Sequence, residues 1–267
     1  MSVRRFWASA STLVLAAAAA LGVAQPASAN STAASGYVAL GDSYSSGVGA
    51  GSYLSDSGDC RRSTKAYPYL WAAANSPSSF SFVACSGATT NSVASTQLGA
   101  LNSSTGLVSI TAGGNDVGFA NVMQDCVLSS EATCLNSVNS AVTQVRNTLP
   151  SRLSSLYGSI KSRAPQARVV VLGYPRFYKL SGSCIAGLTE KKRAAINDAS
   201  DVLNGVIAKQ AANAGFTYSS VVDKFTGHEL CSGDAWLHSV SIPVYNSYHP
   251  KAAGQSGGYL PAFRSAA

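Results

Sequence analysis

The chain has 267 residues, six cysteines and a formal net charge of +7. Its basic residues, among them Arg61, Arg62, Lys65 and the group from Glu190 to Arg193, are scattered rather than gathered into a tract, which argues against a nucleic-acid partner. No apolar stretch is both long enough and uncharged enough to cross a membrane, which argues against an integral membrane protein.

In chain order, Arg4 and Arg5, an apolar run from Leu13 to Val23 and then Ala27-Ser28-Ala29 make the charged, apolar and small-residue parts of a secretory signal peptide. Removal of residues 1–29 leaves a single domain over 30–267, carrying +5 after the loss of two arginines (7 − 2) and expected to be soluble outside the cell. The surroundings of the Arg pair fit a twin-arginine signal poorly, and the export route stays open. Six cysteines in an exported chain suggest disulfides. Pairing of neighbours is the expectation: Cys60 with Cys85, Cys126 with Cys134, Cys184 with Cys231. Without any Cys-x-x-Cys, and in an oxidising compartment, no metal site is expected of them.

Short β-rich runs fall at Tyr37 to Leu40, Phe80 to Ala84, Leu107 to Thr111, Arg168 to Tyr174 and Phe216 to Val221. Between the third and fourth, Val138, Val142, Val145, Leu149, Leu153, Leu156 and Ile160 recur at intervals of three and four, the spacing of one buried helix face. Pro150 lies inside that pattern and should kink or divide the helix. A second helix is predicted from Thr189 as N-cap, through Ile196, Ala199, Leu203 and Val206, to about Ala214, with Gly215 as its stop signal. A last one starts near Lys251. Apolar strands alternating with helices predict an α/β fold: a parallel sheet covered on both faces, with ligands bound beyond the carboxyl ends of its strands.

Several polar residues would gather at that edge. Ser43, in Gly41-Asp42-Ser43-Tyr44-Ser45, stands where the first strand meets a glycine-rich turn. Gly87 follows the second strand, Asn115 in Gly113-Gly114-Asn115-Asp116 follows the third, the loop from Gly173 to Tyr178 follows the fourth, and His249 precedes the last helix. A serine hydroxyl needs a base to take its proton, and acyl transfer needs donors aimed at the oxygen that becomes negative. Ser43 and His249 meet the first need. The backbone N–H groups of Ser43 and Gly87 and the side-chain amide of Asn115 meet the second. Asp42 and Asp116 read as turn and hydrogen-bond anchors.

Three other patterns carry less. Gly254-Gln255-Ser256-Gly257-Gly258 has the nucleophile-elbow spacing, but no strand precedes it and no histidine follows it. His228-Glu229 begins like a zinc-protease helix, yet Ser232 stands where the second histidine is required; His228 and His238 read as structural. Gly47-Val48-Gly49-Ala50-Gly51 lacks the Lys-Ser or Lys-Thr of a nucleotide loop and reads as a flexible segment after Ser43.

With these blocks in order, the chain resembles the SGNH, or GDSL, hydrolase superfamily, and within it the secreted lipases, esterases and phospholipases of streptomycetes. Gly41-Asp42-Ser43-Tyr44 corresponds to the first block, Gly87 to the second, Gly113-Gly114-Asn115-Asp116 to the third and His249 to the fifth; Tyr174-Pro175-Arg176-Phe177-Tyr178 and His228-Glu229-Leu230-Cys231 also resemble the secreted subgroup. The resemblance implies a three-layer α/β/α sandwich of flavodoxin-like strand order. It implies hydrolysis of lipid esters at an interface by a monomer, through a Ser43–His249 dyad and an acyl-enzyme, with no metal or organic cofactor. Many family members have aspartate three residues before the histidine, where this chain has Asn246. The subgroup implies instead that a main-chain carbonyl, of Ser247 or Asn246, orients the imidazole, with Asp223, Glu229 and Asp234 as alternative third members. The acyl pocket is expected from the segments Ser45 to Lys65 and Gly118 to Cys134. The rival readings are an esterase for small soluble or carbohydrate esters, a peptidase, and an inactive binding module on the same scaffold.

Overall fold

The computed structural model describes residues 1–3, 36–181, 184 and 188–267. The signal expected at 1–29 therefore lies, apart from its first three residues, outside the described residues.

Five strands, β1 (Gly36–Ala39), β2 (Phe80–Phe82), β3 (Thr105–Ile110), β4 (Arg168–Leu172) and β5 (Thr217–Ser219), form one parallel sheet in the order β2-β1-β3-β4-β5. Each falls within or beside a run predicted from sequence. The central strands are buried on both faces, which is why they read as nearly continuous apolar runs: Val169 to Leu172 are at most 2% exposed. Ser109 interrupts β3, and its hydroxyl is satisfied by the phenols of Tyr37 at 2.7 Å and Tyr67 at 3.2 Å.

Helices α1 (Ser43–Ser46), α2 (Tyr67–Asn75), α3 (Thr90–Thr96), α4 (Phe119–Leu128), α5 (Glu131–Asn147), α6 (Leu149–Arg163), α7 (Glu190–Asn213), α8 (Val222–Phe225) and α9 (Leu260–Arg264) are the α-helices among the described residues. On one face of the sheet Trp71 of α2 and Phe263 of α9 close around the ring of Tyr37, at 5.0 and 5.5 Å between centroids. α7 packs on β4 and β5, with α6 beside it and α3 on α6; α5 packs on α7, and α4 on α5. The long apolar periodicity is divided as Pro150 requires. α5 ends at Asn147, and Pro150 sits in the first turn of α6, where its missing N–H has no helical acceptor to lose. α7 begins on Thr189, whose hydroxyl accepts from the Lys192 N–H, and ends before Gly215 in the left-handed conformation at φ 74°. The last helix starts at Ala252 and passes through a wide turn, Gly254–Tyr259, into α9.

The pairing of cysteines follows the expected neighbours: Cys60–Cys85, Cys126–Cys134 and Cys184–Cys231 are joined. The first ties the segment after α1 to the residues just ahead of Gly87, and the second fastens α4 to α5.

Candidate active site

β1 delivers the chain to Gly41, which adopts φ 123°. A Cβ there would lie 2.5 Å from the Thr111 carbonyl, so only glycine lets the turn pass this close to the end of β3. Asp42 then caps α1, and its carboxylate accepts from the Tyr44 N–H at 3.0 Å, the Thr111 hydroxyl at 2.6 Å and the Tyr174 phenol at 2.5 Å. Burial raises its pKa from 3.8 to about 6, against the lowering effect of these donors. The anchor expected of Asp42 is thus a carboxylate held at once by α1, the residue after β3 and the loop after β4. It sets the first residue of α1, Ser43, at the sheet edge.

Ser43 Oγ lies 2.7 Å from His249 Nε2. The base arrives from the far end of the chain, on a loop braced by two-way backbone bonds: the His238 N–H donates to the His249 carbonyl and the Tyr248 N–H to the His238 carbonyl, each at 2.9 Å. The His238 ring donates to the Gly49 carbonyl at 2.8 Å, so its structural role is specific: it fastens the histidine loop to the segment after Ser43. One edge of the His249 ring reaches the cavity, yet protein surrounds the rest. That burial lowers its pKa from 6.5 to about 4, against the raising effect of the Ser247 and Tyr245 carbonyls.

The support for His249 differs from the sequence expectation. Its buried Nδ1 has no hydrogen-bond partner among the described residues, so neither the Ser247 nor the Asn246 carbonyl is bonded to it; the carbonyls of Ser247 and of Tyr245, which the sequence reading missed, bear on the ring only by favouring its charged form. The Asn246 carbonyl instead accepts from the His249 backbone N–H at 3.1 Å. None of the alternative carboxylates is found on the ring. Glu229 accepts from the Gly227 N–H and Asp234 engages His228 and Trp236, while Asp223 lies in α8.

Gly87, at φ 77°, and Asn115 line the same cavity as Ser43 and His249. The Asn115 amide donates to the Ala88 carbonyl at 3.0 Å, which uses one of its two hydrogens and fixes the group beside Gly87. Among the described residues the backbone N–H groups of Ser43 and Gly87 find no acceptor. Asp116 holds the turn, accepting from the Thr90 N–H and hydroxyl at 2.9 and 2.6 Å.

Behind this polar corner opens a cavity of about 610 Å³. Phe119, Val122 and Met123 of α4, Ala141 and Val142 of α5, and Leu203 of α7 are among its lining residues. Val142, which lines this space with Val138 and Val145, is the one member of the α5–α6 apolar stripe left partly exposed. The segment from Gly118 lines the cavity as expected, though as a helix. Residues 45–65 do not line it, and α5 and α7 stand in their place. Gly49, expected to lend flexibility, is tightly packed: a Cβ would lie 2.8 Å from the Pro250 carbonyl and 3.0 Å from His249 Cβ.

Two further groups escaped the sequence reading. Asn197, Ser200 and Asn204, one buried polar stripe of α7, bind the backbone of the loop from Tyr174 to Tyr178. Gln255, in the rejected Gly-x-Ser-x-Gly pattern, is fully buried and bonds the Tyr67 N–H and the Tyr44 carbonyl, each at 3.0 Å. Ser256 is exposed and bonds only the Ala253 carbonyl. His228 stacks on Trp236 at 3.6 Å.

Residues 39–256 match the model of the GDSL-like lipase/acylhydrolase family. Over 259 residues the chain is 63% identical to Lipase 1 of Streptomyces coelicolor, covering 96% of both proteins. It is similar in structure to phospholipase A1 from Streptomyces albidoflavus, with a TM-score of 0.87 and 66% identity, covering 88% of this chain and 100% of that one. The extracellular lipase from Streptomyces rimosus superposes with a TM-score of 0.87 at 60% identity, with the same coverage.

Proposed function

The chain belongs to the GDSL-like lipase/acylhydrolase family, and from that premise we propose that it is a secreted hydrolase of lipid esters working through an acyl-enzyme on Ser43. The observation that carries this reading is the 2.7 Å contact between Ser43 Oγ and His249 Nε2 at the mouth of an apolar cavity.

Neutral His249 accepts the Ser43 proton as Oγ attacks the ester carbonyl. The resulting oxyanion lies against the free N–H groups of Ser43 and Gly87 and the second amide hydrogen of Asn115. Imidazolium then protonates the leaving alcohol, and His249 next takes a proton from water, whose oxygen attacks the acyl-enzyme carbonyl to release the acid and restore Ser43. With no carboxylate on Nδ1, the protein supports imidazolium weakly. Burial in turn keeps the resting ring neutral, ready to act as base.

The apolar lining favours a hydrocarbon acyl chain over the acetyl group of a sugar ester, and the cavity volume lies within the usual ligand range of roughly 300–1,000 Å³. Secretion is supported by the signal-like residues 1–29 and by the extracellular lipase among the relatives. The relatives are named as lipases and as a phospholipase A1, so positional and headgroup preference are for experiment. Fatty-acid release is measured from phosphatidylcholine bearing different chains at sn-1 and sn-2, from triacylglycerol and from a soluble ester, with Ser43→Ala as control. Preferential sn-1 release lost in the mutant identifies a phospholipase A1; release from triacylglycerol alone identifies a lipase. Undiminished turnover by Ser43→Ala or His249→Ala refutes the dyad. Asn115→Ala is expected to cost about 2.7–4 kcal/mol of transition-state stabilisation.

A further inference from the structure

Large apolar side chains are seldom left in water, and where they cluster they mark a contact surface. From residue 36 onward, the exposed large hydrophobics among the described residues are Leu128, Leu180, Val240, Ile242 and Val244. Four of these five crowd one opening. Leu128, Val240 and Val244 line the cavity that leads to Ser43, and Ile242 lies between the last two in sequence, 98% exposed. Val244 is 77% exposed, Leu128 73% and Val240 56%. Each of the three lining residues therefore belongs to the cavity wall and to the outer surface together.

The Val240–Val244 side of the lip is also uncharged. Residues 235–250 contain no Asp, Glu, Lys or Arg, and the two histidines there are engaged with Gly49 and Ser43. Arg61 stacks over Tyr245 at 4.1 Å, but its guanidinium is paired with Asp59 at 3.1 Å.

We infer that this lip, Val240 to Val244 on one side and Leu128 on the other, seats the protein on the surface of a neutral lipid aggregate, so that an acyl chain passes into the cavity without crossing water. The inference rests on the lipid-ester reading above and names the surface by which that site meets its substrate. Three properties select lipid over another protein. The apolar surface is continuous from the lip to the chamber that takes the hydrocarbon. Four side chains offer a few hundred Å², short of the roughly 800 Å² per partner of a stable protein interface, whereas entry into lipid is favourable one side chain at a time. The absence of charge on the Val240–Val244 side spares a desolvation penalty there and gives that side no group to pair with anionic headgroups.

The test uses Ile242, which touches neither the cavity nor the polar site. Binding to phosphatidylcholine vesicles is measured by cosedimentation in a Ser43→Ala background, where the lipid survives. Ile242→Asp is expected to weaken partitioning by about tenfold or more, and Ile242→Trp to strengthen it. With Ser43 intact, Ile242→Asp should lose vesicle hydrolysis in the same proportion, while its rate on a monomeric short-chain ester stays within about twofold. Unchanged vesicle binding in both variants overturns the inference. So does binding that requires anionic lipid and vanishes at about 0.5 M salt, or a wild-type dimer that Ile242→Asp dissociates. Ile242-dependent binding by a wild type that releases no fatty acid would support the lip and sink the lipid-ester reading, so the two fail separately.

Discussion

The phenol of Tyr44 donates a 2.6 Å hydrogen bond to the carbonyl of Tyr248, joining the residue after Ser43 to the residue before His249. Tyr248 is held in the left-handed region at φ 64°, a conformation that costs a non-glycine residue about 1–2 kcal/mol. This one bond spans 204 positions of sequence and fixes a strained residue next to the base.

Tyr44→Phe keeps the ring and removes the donor, leaving a buried carbonyl unpaired at a cost of about 1–3 kcal/mol. If the bond positions His249, kcat falls by roughly tenfold with KM within about twofold. A purely structural role would lower Tm and leave kcat alone, so steady-state kinetics and a thermal melt together separate the two.

The low pKa of His249 places the acid limb of kcat/KM near pH 4, well below that of an ordinary histidine at 6.5. A pH–rate profile on a soluble ester measures it, and a limb near 6.5 would contradict the burial argument. The same groups link folding to pH in opposite senses. His249 is protonated more readily in the unfolded chain, so its contribution is lost as pH falls from 6.5 through 4. Asp42, raised from 3.8 to about 6, holds its proton better in the fold, so its contribution grows as pH falls from 6 through 4. Wild type should accordingly gain stability over Asp42→Asn on acidification from pH 6 to 4, by about 2 kcal/mol, read from denaturant midpoints. A pH-independent difference would show that Asp42 does not titrate in this range.

Gly49→Ala tests the packing behind the base. The new Cβ meets the Pro250 carbonyl and His249 Cβ at a backbone φ of 88°, so Tm should fall and turnover should drop with it. Full activity at an unchanged Tm would mean the loop yields without moving the imidazole.

Ala141, on α5, lines the acyl cavity. Ala141→Phe should fill it, lowering kcat/KM for a long-chain ester by about tenfold or more, since each lost methylene contact is worth roughly 1–3 kcal/mol, while a butyrate ester is hydrolysed at close to the wild-type rate. Equal losses on both substrates would place the chain elsewhere.

Sequence alone determined the five strands, the helices α5, α6 and α7, the start of the last helix and the candidate reactive groups. Strand hydrophobicity, the Pro150 break and the Thr189 and Gly215 caps are local properties, set by neighbouring side chains and backbone stereochemistry, and they recur in the structure within a few residues. The short motifs holding Ser43, Gly87, Asn115 and His249 were legible because each follows or precedes a local signal of that kind. Only the tertiary structure decided what surrounds them. The phenol of Tyr44 on the Tyr248 carbonyl, the ring of His238 on Gly49, and the acyl chamber built from α4, α5 and α7 join residues far apart in the chain. The Asn246 position shows the limit most clearly. Its place three residues before His249 is visible in sequence, but which carbonyl faces the imidazole depends on the path of a loop braced from other elements. Contacts of that kind carry no periodicity and no fixed spacing, so they exist as information only once the chain has folded.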